Sequence, residues 1–321
     1  MNAEASLKGK KQPLKTSLIV SLYNIADIIK PLYRMIIETA EEFKGSLEIV
    51  FVDDGSTDET YEVLLSIARR DSRVRVIKMR SNFGEAAALE VGLRYSKGER
   101  IVYISGRVRV NPRDIPKFLK KLESGFDLVV GWRTPRRDFI LNRWVSAVFN
   151  RMACLISRVK LHDINSGIIV TYRSVLEKIS FYGELYNFIP VLARQQGYMV
   201  TEEKIEQLKG SFRKSRYPKE YLQRLLDIIA VFFLARYSKK PIHFLGLLGV
   251  LFMIVGFGIE IYLFIYRIMG IGPIAGRPLL VLGALLLVIG IQVITIGLLG
   301  EMIIFTHAGD IEEYNIQEII N

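Results

Sequence analysis

The segment 47-LEIVFVDDGSTDET-60 decides the fold, because it joins a continuous apolar run to a polar turn and then to a helix start. Continuous apolar strands are typical of parallel sheets that are covered on both faces. The glycine and serine of the turn, followed by Thr57 and Asp58, favour a strand–turn–helix connection. Two interpretations stay open at this point: a ligand-binding turn, or a well-capped turn that binds nothing.

The same alternation of elements extends from residue 16 to about residue 210. Apolar, β-branched runs predict strands at 17–22, 47–53, 73–79, 100–105 and 127–132, and helical stretches lie at about 27–43, 57–70, 84–96 and 112–124. The sequence therefore predicts an α/β fold, with a mostly parallel sheet and helices on both of its faces.

Polar clusters containing glycine or serine follow the predicted strands. In open parallel sheets the ligand lies beyond the carboxyl ends of the strands. Asp53, at one such end, can accept a hydrogen bond from a base or a ribose hydroxyl, and Gly55 with Ser56 forms the turn into the next helix. The other strand-end clusters are Tyr23-Asn24, 80–84, Ser105-Gly106-Arg107 and Gly131-Trp132-Arg133.

Two apolar runs, at about 242–266 and 278–304, dominate the C-terminal part of the chain. Each run reaches the ~20 residues that cross a ~30 Å hydrocarbon layer as a helix. Buried helices of a soluble core are the alternative, but such helices rarely stay apolar on every face over this length. The sequence therefore predicts a two-helix transmembrane hairpin over 241–306.

The distribution of basic residues predicts the orientation of this hairpin. Five of them, Lys219, Arg224, Arg236, Lys239 and Lys240, precede the first run, whereas Arg267 and Arg277 flank the loop between the runs. We therefore expect an integral protein of the cytoplasmic membrane whose soluble domain and both termini face the cytoplasm. No apolar segment precedes Thr16, so no signal peptide is expected. The predicted layout is a basic mobile arm (1–15), a cytoplasmic domain (16–210), amphipathic juxtamembrane helices (211–240), the hairpin (241–306) and a tail (307–321).

The composition excludes several classes of protein. With 50% apolar residues the chain is not disordered, and a lone Cys154 cannot form a disulfide scaffold. The three scattered histidines do not match the spacing of a zinc site. A net charge of +11 would suit nucleic-acid binding, but the basic residues follow the membrane segments, so we expect no nucleic-acid partner. The basic amphipathic stretch 139–160 either lies on anionic lipid or packs inward as a surface helix.

Taken together, these segments resemble the family-2 inverting glycosyltransferases of the GT-A fold, specifically their membrane-anchored polyprenyl-phosphate branch, which includes dolichol-phosphate mannose synthase. The resemblance covers nearly the whole chain in family order. It implies an inverting hexosyltransferase that moves a sugar from a nucleotide-sugar to a dolichyl or undecaprenyl phosphate at the cytoplasmic membrane face. The matching segments are SLIVSLYN, EIVFVDDGSTDET, RSNFGEAAALEVGL, NPRDIPKFLKKLESGFDLVVGWRTPRRD, LHDINSG, YGELYNFIPVLARQQGY, FRKSRYP and the terminal hairpin.

The resemblance also implies roles for individual residues. Residues expected to bind the nucleotide-sugar are Tyr23, Asn24, Asp53, Asp54, Gly55, Ser56, Asn82, Gly84 and Ser105. Cations expected near the diphosphate are Arg133, Arg136 and Arg137. The lipid phosphate is expected to meet Lys214, Ser215, Arg216 and Tyr217.

The chain departs from the family pattern where the family binds its metal. The family has Asp-x-Asp after the fourth strand, and this chain has Ser105-Gly106-Arg107. The two aspartates of the family hold Mg²⁺ or Mn²⁺ against the diphosphate. The sequence therefore predicts no metal ligands at this position. The resemblance implies Mg²⁺ or Mn²⁺ for the family, but because the ligand motif is missing here, no cofactor is firmly implied for this chain. Further departures occur at Ser21, Ile25, Tyr186-Asn187, Gln207 and Gly210.

Two hypotheses follow from this departure. In the first, Arg107, together with Arg133 and Arg137, takes the place of the metal ion in catalysis. The Arg107 guanidinium stays charged and can form two parallel hydrogen bonds to phosphate oxygens. In the second, the chain is an inactive pseudo-glycosyltransferase that serves as a membrane scaffold or regulatory partner. Its candidate protein partners are a second copy of itself or another glycosyltransferase subunit.

Overall fold

The computed structural model describes residues 15–42, 46–108, 110–135, 161–179, 183–208 and 241–306. Several sequence predictions fall outside these ranges and stay predictions. They concern most of the basic arm, Arg136, Arg137, the stretch 139–160, the juxtamembrane segment with Lys214, Ser215, Arg216 and Tyr217, and the tail 307–321.

The chain divides into two compact units, Met1–Val231 and Phe232–Asn321. The described part of the first unit is built around a β-sheet. The described part of the second is a pair of long helices. The finer boundaries predicted from the sequence, at 210 and 240, lie in residues that the structure does not describe.

Among the described residues, seven strands form one sheet in the order β3-β2-β1-β4-β6-β5-β7. Strands β1 to β4 are parallel, and β7 is parallel to β5. Strand β6 runs antiparallel to both of its neighbours, β4 and β5. The predicted α/β fold is confirmed, and β6 is a reversal that the sequence analysis did not identify. The strands are β1 (Thr16–Leu22), β2 (Leu47–Asp53), β3 (Val74–Lys78), β4 (Arg100–Ser105), β5 (Leu128–Arg133), β6 (Ile168–Tyr172) and β7 (Val200–Ile205).

Four helices of the first unit follow the predicted positions, with shifts of up to four residues at their ends, and two shorter helices, at 173–178 and 189–195, were not predicted. The second helix begins at Thr60 rather than at Thr57, because Asp58 holds the turn before it. Asp58 accepts hydrogen bonds from the backbone N–H groups of Thr60 at 3.0 Å and of Ala26 at 3.3 Å. The helices are α1 (Ala26–Thr39), α2 (Thr60–Ala68), α3 (Glu85–Tyr95), α4 (Ile115–Glu123), α5 (Arg173–Lys178) and α6 (Ile189–Gln195).

The hydrophobic core lies on both faces of the sheet. Successive side chains of a strand point to opposite faces, and in β1 this sends Leu18 and Val20 to one cluster and Ile19 to the other. Helices α1, α2 and α4 cover the first cluster, and α3 and α6 cover the second. Because both faces are covered, the exposed chemistry of this sheet is confined to its edges and strand ends.

The second unit consists of α7 (Pro241–Ile268) and α8 (Pro278–Thr306). Their apolar windows have mean hydropathies of 2.4 and 2.8, and only 11% of each window is buried. Core helices of a soluble protein would be mostly buried, so this exposure favours membrane-spanning helices. Glycines bring the two backbones together: a Cβ on Gly249 would lie 2.6 Å from the Gly290 carbonyl oxygen, and one on Gly256 would lie 2.8 Å from that of Gly283.

Candidate active site

The carboxyl ends of β3, β2, β1 and β4 lie side by side at one edge of the sheet. Two backbone hydrogen bonds fix the loops that leave this edge: Asp54 N–H donates to the Leu22 carbonyl, and Gly106 N–H donates to the Ser21 carbonyl, both at 2.9 Å. The sequence-predicted strand-end clusters of these four strands therefore meet, as expected for parallel strands.

The turn after β2 is built by side chains that bond to backbone groups. Asp53 Oδ1 accepts from Ser56 N–H at 3.1 Å. Asn24, whose φ is +50°, donates its own N–H to Ser56 Oγ at 3.0 Å and accepts from Thr57 N–H at 2.8 Å. The loops after β1 and β2 are thereby tied into one unit.

Gly55 is required at the centre of this turn. Its φ is +69°, a region that L side chains rarely adopt, and an added Cβ would lie 2.4 Å from the Ser81 carbonyl carbon and 2.8 Å from the Asn82 backbone nitrogen. The loop after β3 therefore packs directly on the Gly55 backbone.

Asp54 holds the start of α3. Its Oδ1 accepts from Phe83 N–H at 2.8 Å and its Oδ2 from Gly84 N–H at 2.9 Å. Burial raises the pKa of Asp54, the two backbone hydrogen bonds oppose this rise, and the charge of neighbouring Asp53 adds to it. Because both oxygens are used inside the protein, Asp54 acts here by placing the loop that carries Asn82 and Gly84.

One carboxylate oxygen of Asp53 accepts no hydrogen bond from the described residues. Its side chain is fully buried, and its Oδ2 has no hydrogen-bond donor among the described residues. A buried oxygen without a donor loses the hydrogen bonds it would make to water. This atom is the feature of the strand ends that most directly calls for an N–H or O–H group from a ligand.

Glu85 is the acidic group at the end of β4, and it comes from α3 rather than from the strand. Its side chain is 10% exposed and accepts from Ser105 Oγ at 2.5 Å and from the Tyr186 hydroxyl. Arg107, whose side chain is 60% exposed, places its Nε 3.9 Å from Glu85 Oε1. Burial raises the pKa of Tyr103 beneath them well above its usual value, and the Glu85 charge adds to this.

The residues at the β4 end do not fit a divalent metal ion. Mg²⁺ and Mn²⁺ take hard oxygen ligands, chiefly carboxylates. Both Glu85 oxygens accept hydrogen bonds from hydroxyl groups, and the strand itself contributes a neutral Ser105 and a cationic Arg107. No group of three or more acidic, histidine or cysteine residues suited to a metal occurs in the described ranges.

Arg133 lies at the end of β5 in a buried ion pair. Its Nε donates to Asp163 Oδ2 at 2.6 Å and its Nη2 donates to Asp163 Oδ1 at 3.0 Å and to the Asn165 carbonyl at 3.1 Å. The adjacent Trp132 stacks on His162 with ring centroids 4.2 Å apart. The segment LHDINSG (161–167) is thus fastened to the end of β5, and the predicted role of Arg133 at the diphosphate stays a prediction.

The structure thus assembles two neighbouring groups of predicted site residues. The first, at the ends of β1 to β3, contains Tyr23, Asn24, Asp53, Asp54, Gly55, Ser56, Asn82 and Gly84. The second, at the end of β4, contains Ser105 and Arg107.

Glu85 and Asp163 were not among the site residues predicted from the sequence. Glu85 directly follows Gly84, which was predicted to bind the ligand, and Asp163 lies inside a segment that carried the family resemblance. In the sequence neither acidic residue lies near the arginine it pairs with, so these two positions were the signals available.

Comparison with known proteins identifies the lineage of the chain. The sequence model of "Glycosyl transferase family 2" matches residues 17–180. A dodecaprenyl-phosphate galacturonate synthase from Rhizobium johnstonii is 31% identical over 93% of this chain and 90% of its own length. An undecaprenyl-phosphate 4-deoxy-4-formamido-L-arabinose transferase from Pseudomonas aeruginosa is 28% identical over 89% of this chain and 84% of its own length.

Solved structures share the fold at low sequence identity. A crystal structure of glucosyl-3-phosphoglycerate synthase from Mycobacterium tuberculosis, with Mn²⁺, UDP and phosphoglyceric acid, has a TM-score of 0.55 and 18% identity over 69% of this chain and 78% of that one. Mannosyl-3-phosphoglycerate synthase from Rubrobacter xylanophilus gives a TM-score of 0.55 and 16% identity over 68% of this chain and 74% of that one. The predicted GT-A architecture is thereby confirmed.

Proposed function

This chain belongs to glycosyl transferase family 2, and from that premise we propose that it transfers a sugar from a nucleotide-sugar to a polyprenyl phosphate. The names of the two relatives support this, because both act on a polyprenyl phosphate and both align over more than four fifths of this chain. The chain is a glycosyltransferase and an integral membrane protein with two apolar helices.

The observation that carries the proposal is the buried Asp53 Oδ2, which has no donor among the described residues. Asp53 receives the base or ribose of the donor nucleotide through an N–H or O–H group. Asn24, Gly55 and Ser56 shape the turn around it, while Asp54 fixes the loop of Asn82 and Gly84 opposite. Tyr23, 38% exposed at the end of β1, borders the same site.

The reaction needs little help from a general base. A phosphate oxygen of the lipid attacks the anomeric carbon, the bond from that carbon to the diphosphate oxygen breaks, and the nucleoside diphosphate leaves with inversion at the carbon. Because the attacking phosphate is already an anion, no proton has to be removed from it before attack. The main demand on the protein is therefore to offset the charge that develops on the leaving diphosphate.

Arg107 meets that demand. Its side chain is 60% exposed at the strand ends, so its guanidinium can reach a phosphate oxygen, and it stays charged at any physiological pH. Glu85 is a positioning residue, because its carboxylate lies 3.9 Å from Arg107 Nε and also bonds Ser105 Oγ. Arg133 and Arg137 are proposed to add positive charge, with Arg133 oriented by Asp163.

The binding site for the lipid phosphate is proposed from the sequence. Lys214, Ser215, Arg216 and Tyr217 would bind the lipid phosphate just before the first membrane helix. The excess of basic residues before that helix supports a soluble domain and both termini on the cytoplasmic side.

The test is turnover by the purified full-length chain in detergent or lipid. Polyprenyl phosphate is supplied with UDP-, GDP- and dTDP-activated hexoses and uronic acids, and the glycolipid product is measured by mass spectrometry. The expected result is one preferred donor whose product, at a donor concentration below saturation, is strongly reduced in an Asp53→Asn variant. No product from any donor, together with no nucleotide binding by calorimetry, would overturn the proposal in favour of an inactive scaffold.

A further inference from the structure

Gln292 is the central residue of α8, the 29-residue helix Pro278–Thr306, and it is exposed. No side chain among the described residues hydrogen-bonds to it. At the middle of a membrane-spanning helix there is no water to satisfy an amide, and an unsatisfied polar group in hydrocarbon is strongly destabilising. An exposed glutamine at this depth therefore requires a polar partner from outside the hairpin.

Other polar side chains of the hairpin are placed differently. Glu260 and Glu301 each have one carboxylate oxygen buried within the unit, and that of Glu260 lies 2.5 Å from the position of a Cβ added to Gly283. Thr295 donates its hydroxyl to the Ile291 carbonyl of its own helix at 2.9 Å. Gln292 thus differs from them in presenting both a donor and an acceptor to the exterior.

Seven of the exposed residues of α8, Gln292 among them, follow a seven-residue repeat. Their spacing alternates between four and three residues, which is the pattern of a helix that packs on a like helix in a left-handed coiled coil. A single polar residue in such a seam fixes register and oligomeric state. We call this the Gln292 seam; it consists of Val281, Leu285, Val288, Gln292, Thr295, Leu299 and Met302, and all seven are exposed.

The opposite side of α8 is already occupied by α7. Gly283, Gly290 and Gly297 recur every seven residues, and an added Cβ on each would approach α7 at 3.1 Å or less. Gly290 precedes Gln292 by two residues, which is about 200° around a helix. The Gln292 seam therefore faces away from the hairpin partner.

We propose that two copies of this chain associate in the membrane through the Gln292 seam, with the two Gln292 amides hydrogen-bonded to each other. A primary amide both donates and accepts, so it is complementary to itself. Copies of one chain insert with the same topology, so a second copy always presents its Gln292 at the same depth. Parallel packing of two α8 helices about a twofold axis along the membrane normal satisfies both amides at once. The inference rests on membrane insertion and is independent of the sugar-transfer reaction.

The experiment measures self-association of the full-length chain in lipid vesicles. Donor- and acceptor-labelled copies are reconstituted in phosphatidylethanolamine–phosphatidylglycerol vesicles, and energy transfer is followed as the protein-to-lipid ratio falls. We expect Gln292→Leu to weaken association about 10-fold, and Gln292→Asn, which keeps an amide, to restore part of it. A wild-type chain that stays monomeric at every ratio, or a Gln292→Leu chain that associates as well as wild type, would overturn the proposal.

Cysteine cross-linking tests the assigned face. In a Cys154→Ser background, Leu299→Cys lies in the seam, and Phe257→Cys lies on an exposed position of α7. Oxidation is expected to link the Leu299→Cys chains and not the Phe257→Cys chains, and adding Gln292→Leu should suppress the link. Equal linking at both positions would show that the copies meet through another surface and would contradict the proposal.

Discussion

The ends of β2 and β4 lie at the same active-site edge, but the residues that the two strands bring to it have charges of opposite sign. At β2 the strand ends in a buried carboxylate, Asp53, and a second one, Asp54, follows it directly. At β4 the strand supplies Ser105 and then an exposed arginine, Arg107, and the acidic group comes from α3 as Glu85. The nucleotide side of the edge is therefore acidic, and the side assigned to the diphosphate carries a cation.

This difference assigns nucleotide recognition to the β2 end and catalysis of sugar transfer to the β4 end. Asp53 has a free buried oxygen suited to neutral donors such as an imide N–H or a ribose hydroxyl. Arg107 suits an anion, and its own position depends on a carboxylate that is not exposed. Substitutions at the β2 end should therefore change nucleotide binding, and substitutions at the β4 end should change the rate of transfer.

Removing the cation of Arg107 is expected to have the largest effect. Arg107→Gln should lower kcat about 10²- to 10³-fold with a smaller change in KM, because the lost charge acts mainly in the transition state. The kcat of Arg107→Lys should lie between that of Arg107→Gln and that of the wild type, because lysine keeps the positive charge but lacks the planar guanidinium that can bind two phosphate oxygens at once. Steady-state kinetics measures both. Arg94→Gln is the matched control, because Arg94 is also exposed and pairs with a glutamate of α3; a large kcat loss in Arg94→Gln would contradict the assignment.

Neutralising Asp53 should weaken nucleotide binding with less effect on kcat. Asp53→Asn keeps the shape of the side chain but loses a charged acceptor, which is worth about 1.5–3 kcal/mol, or about 10- to 100-fold in Kd. Calorimetry with the preferred donor nucleotide gives the value. If Asp53→Asn bound nucleotide like the wild type, the recognition role of the β2 end would be wrong.

Glu85→Gln should have a moderate effect that depends on Arg107. We expect kcat to fall about 10-fold with the melting temperature nearly unchanged, because the amide keeps the size of the carboxylate but loses its attraction for Arg107. The double variant Glu85→Gln/Arg107→Gln should be no slower than Arg107→Gln alone, as a double-mutant cycle shows for groups that act together. Glu90→Gln on the same helix is the control. Additive losses would mean that Glu85 does not act through Arg107.

The smallest effect on activity is expected at a third carboxylate, Asp71, which precedes β3 at the opposite edge. Hydrogen bonds from the Arg73 guanidinium lower the pKa of Asp71 from 3.8 to about 2, and the Tyr33 hydroxyl, 2.7 Å from Asp71 Oδ2, contributes. A lowered folded-state pKa stabilises the fold above pH 3.8, and this stability is lost as the pH falls towards 2.

The full pKa shift would correspond to about 2 kcal/mol, and because the Arg73 side chain is 44% exposed, solvent screening reduces the contribution to about 1 kcal/mol. Unfolding of the purified chain, followed by tryptophan fluorescence from about pH 5 to about pH 2, should show this loss of stability, because the range runs from above the unfolded-state pKa of 3.8 down to the folded-state pKa of about 2. Asp71→Asn should flatten the slope and leave kcat and nucleotide Kd unchanged. A loss of activity in Asp71→Asn would mean that carboxylates affect this site through stability rather than through their position at the strand ends.

The β2 end could be predicted from sequence because its parts are local. The strand, the glycine turn and the helix start are contiguous in 47–60, and the structure confirms the strand and, with a three-residue shift, the helix. Local patterns also predicted both long C-terminal helices to within two residues.

The β4 end could not be predicted in the same way, because its parts are distant in sequence. Ser105 and Glu85 are separated by 20 positions, and Glu85 and Tyr186 by 101. Arg133 was predicted as a cation for the diphosphate, and its partner Asp163 lies 30 positions away. Residue type alone shows the charge of an arginine but not the carboxylate that neutralises or orients it.

The most direct test of the account is the metal dependence of the wild-type reaction. The rate of sugar transfer to polyprenyl phosphate is measured with excess EDTA, and then with Mg²⁺ or Mn²⁺ in place of the chelator. Because Arg107 is assigned the role of offsetting the diphosphate charge, kcat should be the same under both conditions within about twofold. Activity that disappears in EDTA and returns with a divalent ion would contradict that assignment.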